Sequence, residues 1–201
     1  MKNLFFLSQF VVNPKSVGAI FPSSSFLGEK MMESINFKKA KCIVEYGPGT
    51  GVFTKKLLER RDPKTVILLV ENNKEFYSML KEKYKEEDNL FIVYGSAEMI
   101  EQYLRECGIP HADYVISGLP FASLSTNVSS EILLNTSKIL KEEGRFITFQ
   151  YTTLKKAFIQ QFFTNIEIKR EFRNFPPAYI FSCTTSRQHL EEYEDVKNTN
   201  C

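Results

Sequence analysis

Three glycines at alternate positions, Gly47, Gly49 and Gly51, are the residues of this chain best placed to bind a ligand. They follow a short apolar run, 41–46, and precede a helical pattern. Glycine lets the backbone turn tightly and approach a bound molecule closely, because it has no Cβ. The spacing is G-x-G-x-G, and Val52 occupies the position where a dinucleotide-binding fingerprint requires its last glycine. The spacing predicts a ligand-binding turn between a strand and a helix.

Two glutamates accompany this turn. Glu45 lies two residues before the first glycine, and Glu71 ends the next apolar run, 65–70. A carboxylate at the end of the second strand can accept hydrogen bonds from ribose hydroxyls. The alternative for Glu71 is a solvated residue at the start of the next helix. The glycine turn that precedes it in the chain favours the ligand-binding role over this alternative. Together these residues indicate a nucleotide-like cofactor, and taken alone they indicate nothing more specific.

Apolar runs alternate with helical patterns along most of the chain, which predicts βαβ units and a buried parallel sheet. We therefore expect an α/β fold: a Rossmann-like, seven-stranded, mostly parallel sheet with helices on both faces, plus N-terminal helices. Gly144 is expected to be the C-cap that ends the predicted helix at 129–140. The predicted strands are 41–46, 65–70, 90–94, 113–118, 145–151, 166–172 and 178–183, and the predicted helices are 22–35, 51–60, 74–84, 97–107, 129–140 and 153–163.

Composition limits the function classes. The 201 residues carry a formal charge of only +2, with 26 basic and 24 acidic residues interspersed, which argues against a dedicated nucleic-acid-binding protein. The four cysteines form no CxxC pair and the two histidines lie far apart, so no metal site or disulfide framework is expected. Reduced thiols in a cytosol are the simpler interpretation.

The N-terminal segment 1–13 predicts a short amphipathic helix that ends before Pro14 and is too short to span a membrane. Its apolar arc would either pack on the rest of the chain or lie in a bilayer interface. We expect three regions: residues 1–36 as an N-terminal amphipathic helix with a cofactor-lid and membrane-contact segment, 37–184 as the catalytic domain, and 185–201 as a polar tail.

From residue 44 to 54, "VEYGPGTGVFT", the chain resembles the S-adenosylmethionine-dependent class I methyltransferases. The resemblance implies that the glycine turn lies under the methionine part of the cofactor, while the acidic residue ending strand two holds the ribose. The loop after strand three, which starts near Ser96, would lie by the adenine, although an aspartate is common where this serine stands. The implied cofactor residues are Glu45, Gly47, Pro48, Gly49, Thr50, Gly51, Glu71, Asn72, Ser96, Ala97 and Ser117.

Two subfamilies share these motifs. The ribosomal RNA adenine dimethylases have a similar glycine turn, but they usually append a helical RNA-binding domain, and this chain ends after its seventh strand. Bacterial phospholipid N-methyltransferases look similar from end to end, because four segments occur in the same order. These segments are 13–27, "NPKSVGAIFPSSSFL"; 44–54; 117–121, "SGLPF"; and 174–179, "NFPPAY". This resemblance implies a methylated ethanolamine lipid as the product and favours membrane contact by the N-terminal helix.

The segment 116–121, "ISGLPF", corresponds to a loop that reads Asn-Leu-Pro-Tyr or Asp-Pro-Pro-Tyr in adenine N-methylases. Gly118 removes the side chain that accepts the adenine amine hydrogens, which we interpret as room for a smaller, flexible head group. Aromatic rings near the loop could hold a methylated cation, although ordinary core packing is the alternative for each. The candidate catalytic residues are Ser117, Gly118, Leu119, Tyr151 and Tyr179; the candidate substrate residues are Ser23, Ser24, Phe121, Tyr151, Asn174 and Tyr179.

The resemblance therefore implies an S-adenosylmethionine-dependent N-methyltransferase that acts on the amine of an ethanolamine phospholipid. The alternatives are a nucleic-acid adenine N6-methyltransferase and a non-catalytic protein that binds the cofactor or a lipid. The expected partners are a phospholipid substrate and the membrane surface, contacted through residues 1–13 at the inner, cytoplasmic face. Neither a metal nor a nucleic acid is expected as a partner.

Overall fold

Seven strands form one sheet in the order β3-β2-β1-β4-β5-β7-β6 in the computed structural model, which describes residues 25–174 and 176–186. All neighbouring strands pair in parallel except β7, which runs antiparallel to both β5 and β6. This confirms the predicted α/β fold class. The strands β1 to β7 are Cys42–Tyr46, Val66–Glu71, Leu90–Tyr94, Ala112–Ser117, Leu140–Gln150, Asn165–Glu171 and Ala178–Thr184; the helices α1 to α6 are Ser25–Met32, Val52–Arg60, Lys74–Lys83, Ile100–Glu106, Thr126–Ile139 and Lys156–Ile159.

Each face of the sheet contributes to its own apolar core. Alternate residues of a strand point to opposite faces, so β1 sends Val44 to one core and Ile43 to the other. The first core includes buried residues of α4 and α5 and the segment 159–163, and the second includes α1 and α2. Helices thus cover both faces, and the central strands read as continuous apolar runs for this reason.

Helix α1 packs against α2 and the sheet. Leu27 and Met31 are fully buried beside Phe53 and Leu57. Glu29 of α1 also forms an ion pair with Lys56 of α2, accepting from its Nζ at 2.5 Å. Within the described residues, the predicted N-terminal region 1–36 is therefore continuous with the second core from Ser25 onward. The predicted helix at 1–13 and the tail from 187 lie outside the described residues.

The predicted C-cap at Gly144 is wrong. Helix α5 ends at Ile139, and Leu140 is already extended, with φ −71° and ψ 140°, because it pairs with Ala112 as the first residue of β5. The strand is irregular before Arg145 pairs with Tyr114. Helix α6 is also shorter than the pattern at 153–163 predicts, since it covers only Lys156–Ile159.

Candidate active site

The glycine turn lies where β1 leaves the sheet and α2 begins. Gly47, Gly49 and Gly51 all adopt positive φ, at 62°, 54° and 80°. This region of backbone space disfavours residues with a Cβ, so the glycines are required by the turn itself. The Gly47 N–H donates to the Val70 carbonyl at 2.9 Å, which continues the β1–β2 pairing into the turn. The turn is thereby fixed relative to the end of β2.

Glu71, the last residue of β2, is hydrogen-bonded to the glycine turn. Its Oε2 accepts from the Gly49 N–H at 2.9 Å, and its Oε1 accepts from the Asn73 N–H at 2.8 Å. The side chain is buried, and this burial raises the pKa of the Glu71 carboxyl. A carboxylate has about four acceptor sites, so two remain available to hydroxyl donors of a ligand.

Glu45 lies two residues before the first glycine and is completely buried. Its Oε2 accepts from the Thr54 hydroxyl at 2.7 Å, whereas its Oε1 has no hydrogen-bond partner among the described residues. Burial, opposed by the Thr54 hydrogen bond and reinforced by the Glu71 charge, raises the pKa of Glu45 to about 8. An unpaired oxygen at this depth costs free energy unless a ligand supplies a donor or a positive charge.

The turn after β3 closes the far side of this site. The Gly95 N–H donates to the Glu71 carbonyl at 3.0 Å, so this turn is hydrogen-bonded to the end of β2. Ser96 engages its own neighbour, with its hydroxyl 2.5 Å from Glu98 Oε2. Ala97 is buried and Asn72 is exposed. Of the residues predicted near adenine, Ser96 therefore has its side chain occupied by Glu98 in this structure.

The exit of β4 approaches the glycine turn closely. The Gly118 N–H donates to the Tyr46 carbonyl at 2.9 Å, and a Cβ on Gly118 would lie 2.9 Å from the Gly47 carbonyl oxygen. Real Cβ atoms essentially never make so short a contact. Gly118 therefore has a packing reason that the sequence did not reveal: it lets β1 and β4 leave the sheet side by side. Ser117 is buried, and its hydroxyl accepts from the Leu119 N–H at 3.2 Å.

A small pocket of about 120 Å³ opens between the β4 loop and the end of β5. It is lined by residues of the segments 118–123 and 149–152, and the lining is mainly apolar. Tyr151 lies in this pocket, and its hydroxyl is hydrogen-bonded to the Asn174 side chain, which also donates to the Pro176 carbonyl at 2.7 Å. The structure thus brings together Gly118, Leu119, Tyr151 and Asn174 from the predicted set.

Two predicted substrate residues do not face this pocket. Phe121 is fully buried and packs edge to face on Phe146, with ring centroids 6.0 Å apart, so its ring does not line this pocket. Tyr179 pairs with Gln150 across β5 and β7, which places it on the face opposite Tyr151, under the Arg170 guanidinium at 5.0 Å. Ser23 and Ser24 lie outside the described residues.

Three residues of the site escaped the sequence-based prediction. Thr54 binds Glu45; Asn73 caps α3 by accepting from the Glu75 and Phe76 N–H groups; and Gln150 is a buried amide at the pocket. An asparagine directly before a helical pattern is a recognisable cap signal, so Asn73 was within reach of the sequence. Gln150 carried no such signal, because its burial depends on where β5 ends.

Glu45 makes the stability of the ligand-free protein depend on pH. Folding raises the pKa of this carboxyl from 4.5 to about 8, so its stabilising proton is fully bound below pH 4.5 and is lost as the pH rises through about 8. We expect the free energy of unfolding in urea to fall across this window, and to fall less in Glu45→Gln. The exposed Glu86→Gln is the matched control. An identical pH dependence in Glu45→Gln and the parent would contradict the assignment.

No described helix is long and apolar enough to cross a membrane. The described part of the chain also contains no group of three or more His, Cys, Asp or Glu residues arranged to hold a metal ion. The features gathered at the carboxyl edge of the sheet are a glycine turn, two buried carboxylates and a small apolar pocket.

Solved structures with a similar fold are methyltransferases. The precorrin-6y C5,15-methyltransferase of Geobacter metallireducens aligns with a TM-score of 0.62 at 16% identity, over 80% of this chain and 87% of that one. An O-methyltransferase of Bacillus cereus in complex with SAH also aligns with a TM-score of 0.62, at 10% identity over 90% of both chains. At these identities the likeness concerns the fold alone.

Proteins with similar sequences identify the family more closely than these structures do. The ornithine lipid N-methyltransferase of Singulisphaera acidiphila is 30% identical over 186 residues, covering 91% of this chain and 96% of that protein. The ribosomal RNA small subunit methyltransferase A of Mycoplasma capricolum is 31% identical over 129 residues, which is 62% of this chain but only 44% of that protein. The family model for ribosomal RNA adenine dimethylase matches residues 2–164, most of the chain. The chain therefore belongs to the ribosomal RNA adenine dimethylase family and is an S-adenosylmethionine-dependent methyltransferase.

Proposed function

We propose that this enzyme methylates the primary amine of a membrane lipid, with an ethanolamine phospholipid as the candidate acceptor. The observation that carries this proposal is the burial of Phe121 beside Gly118. Enzymes that act on a base read it by hydrogen bonds to its edge and by stacking between side chains. Here the loop offers no side-chain acceptor at residue 118, and its aromatic ring is packed in the core. A flexible alkyl amine needs neither feature.

The length of the relatives supports the same acceptor class. The lipid-modifying relative matches over nearly its whole length, whereas the ribosomal RNA relative from Mycoplasma capricolum extends well beyond the matched part. Methylation of an adenine amine in RNA is the second candidate, and the family model favours it. The shared chemistry of the lipid candidates, an ethanolamine or ornithine head group, is a primary alkyl amine on a flexible chain.

The glycine turn and its glutamates fit S-adenosylmethionine. The unpaired Glu45 Oε1 suits the ammonium group at the amino-acid end of this cofactor, and the remaining acceptor sites of Glu71 suit its ribose hydroxyls. Gly47, Gly49 and Gly51 let the backbone approach the ligand, while Pro48 and Thr50 complete the turn. When bound, the cofactor supplies an activated methyl group on a sulfonium.

The protein's own contribution to the chemistry is positioning. Most of the barrier to a direct displacement can be lowered by alignment of the two reactants and exclusion of water. An alkyl amine of this kind has a pKa of roughly 9–10, so it must enter as the neutral form or lose its proton in the site. Burial raises the pKa of Tyr151, so its phenol remains protonated and serves as a hydrogen-bond partner. The Ser117–Leu119 backbone carbonyls are the candidate acceptors for the amine hydrogens.

A group of exposed apolar side chains, the apolar rim, surrounds this edge of the sheet and supports membrane contact. It consists of Leu154, 87% exposed, Phe172, 68% exposed, and Phe26, 47% exposed. Leu154 follows β5 and Phe172 follows β6, and both strands end at the carboxyl edge. Arg170 lies 4.5 Å over the Phe172 ring, and Arg173 lies 4.6 Å over the Phe26 ring. Exposed apolar groups beside cations suit the interface of an anionic bilayer.

The predicted helix at 1–13 is a second candidate for membrane contact, and it lies outside the described residues. Its apolar arc would bind the same bilayer that the apolar rim faces, so the enzyme would act at the inner membrane surface as a peripheral protein. Two separate contacts would hold the pocket against the head groups more firmly than either contact alone.

Transfer of labelled methyl groups from S-adenosylmethionine tests the acceptor class. We expect label in phosphatidylethanolamine vesicles and none in 16S ribosomal RNA or small ribosomal subunits, because the β4 loop offers neither a side-chain acceptor at residue 118 nor an exposed aromatic ring. Ornithine lipid vesicles form a third arm that distinguishes the two head groups. Label in RNA alone would overturn the lipid proposal. Cofactor binding without transfer to any acceptor would instead support a non-catalytic protein.

Glu71→Ala tests the ribose assignment. The change removes acceptor sites for two hydroxyls and also releases the Gly49 N–H, so cofactor affinity should fall by at least about tenfold, as expected for lost hydrogen bonds to a charged group. Isothermal titration with S-adenosylmethionine measures the change directly. Exposed Glu86→Ala serves as the matched control and should bind as the parent does. An unchanged affinity in Glu71→Ala would refute the role.

The combined change Leu154→Ser and Phe172→Ser tests the apolar rim. We expect the fraction of protein that floats with phosphatidylethanolamine and phosphatidylglycerol vesicles to fall severalfold, because less apolar surface enters the interface. Transfer to a short-chain, monomeric phosphatidylethanolamine should be retained, since the pocket is intact. Phe91→Ser, an exposed phenylalanine on β3, is the control. Flotation equal to that of the parent would exclude the rim as a membrane contact.

A further inference from the structure

Gln150 is a buried amide whose nitrogen lacks a partner. It is the last residue of β5 and only 5% exposed, and its Nε2 makes no hydrogen bond to any part of the chain that the structure describes. Leaving a buried N–H donor unpaired costs roughly 1–3 kcal/mol, so such groups are rare in folded proteins. An apolar residue at this position would avoid that cost. The amide therefore needs a reason outside the fold.

The position of Gln150 supplies that reason. It lines the same small pocket as Gly118, Leu119 and Tyr151. Two residues earlier on β5, Thr148 pairs in register with Ser117 and donates its hydroxyl to the Ser117 carbonyl at 3.3 Å. Side chains two residues apart on a strand share a face, so Gln150 follows Thr148 along the β4 exit and lies level with Leu119. Gln150 therefore lines this pocket, and its Nε2, which is fully buried, meets a ligand there when the amide turns toward the cavity.

We propose that Gln150 binds the methyl acceptor, its side-chain N–H donating to an anionic oxygen close to the amine in the lipid head group. This inference rests on the proposed lipid function and names a substrate-binding residue for it. The phosphodiester of an ethanolamine lipid and the carboxylate of an ornithine lipid both offer such an oxygen a few bonds from the amine. In the mainly apolar pocket a hydrogen bond to an anionic oxygen is strong, because little water competes for either partner.

The placement explains how the pocket fixes an acceptor although residue 118 has no side chain. Adenine methylases position the amine with an Asn or Asp in the β4 loop. In this chain a Cβ at that position would meet the Gly47 carbonyl, and the neighbouring strand carries the amide instead. The polar contact therefore moves from the amine to the oxygen next to it. This arrangement suits a head group with an anionic oxygen close to its amine.

Gln150→Leu tests the contact with little change of shape. We expect the Kd for dihexanoyl phosphatidylethanolamine, measured by isothermal titration with S-adenosylhomocysteine present, to rise about tenfold to a hundredfold, as for loss of a hydrogen bond to a charged group. The KM for the lipid should rise in parallel, while the affinity for S-adenosylmethionine stays unchanged. The Tm should be unchanged or higher, because an unpaired buried donor is removed. A purely structural role predicts the opposite, a lower Tm with an unchanged lipid Kd.

Gln150→Glu decides which end of the amide is used. If the N–H donates to an anionic oxygen, a carboxylate there repels it, and lipid binding should be weaker than in Gln150→Leu. Binding as tight as in the parent would mean that the side chain accepts from the amine, and the donor assignment would be overturned. Exposed Gln160→Leu is the matched control. A parent enzyme that methylates no lipid refutes the proposed function, whereas a methylating parent with a lipid Kd unchanged in both variants refutes only this inference.

Discussion

Burial of the Glu45 and Glu71 carboxylates at the ends of two adjacent strands is the constraint on which the rest of the site depends. Desolvation disfavours both charges and raises both pKa values, and the Glu71 charge makes ionisation of Glu45 harder still. Glu71 is compensated by two backbone N–H groups, one of which belongs to Gly49. Gly49 donates its N–H to that carboxylate from a backbone with φ 54°. The glycine turn is thus a consequence of the acidic pair as much as a cradle for a ligand.

The same constraint propagates to the acceptor side. Because the turn stays close to the end of β1, the Gly47 carbonyl oxygen lies only 2.9 Å from the position that a Cβ of residue 118 would occupy. A glycine at 118 follows, and the β4 loop loses the side chain that would read a base. The glycine turn, proposed to bind the cofactor, and the β4 loop, proposed to select the acceptor, are therefore coupled through one backbone contact between two strand exits.

Sequence patterns predicted the architecture well because parallel strands buried on both faces leave a clear apolar signal. The glycine turn and Glu71 were equally accessible, since positive φ and a strand-end carboxylate have sequence signatures. The predictions were less accurate where a residue's position depended on which face of a strand its side chain occupies, or on where the strand ends. Tyr151 and Tyr179 were grouped, but the antiparallel register pairs Tyr179 with Gln150 and so separates the two tyrosines. The burial of Phe121 was not predictable either, because its ring turns inward onto Phe146, a contact between residues far apart in sequence.

The unpaired buried groups indicate the charge pattern of the ligands that this site would bind. Glu45 Oε1 and Gln150 Nε2 are two of the three buried side-chain atoms that lack a partner within the described residues, and both lie at the carboxyl edge of the sheet. One is an acceptor and the other is a donor. The acceptor beside the glycine turn calls for a cation, and the donor beside the β4 loop calls for an anionic oxygen. Under the proposed function, a cationic cofactor on one side and a zwitterionic lipid head group on the other would satisfy both atoms.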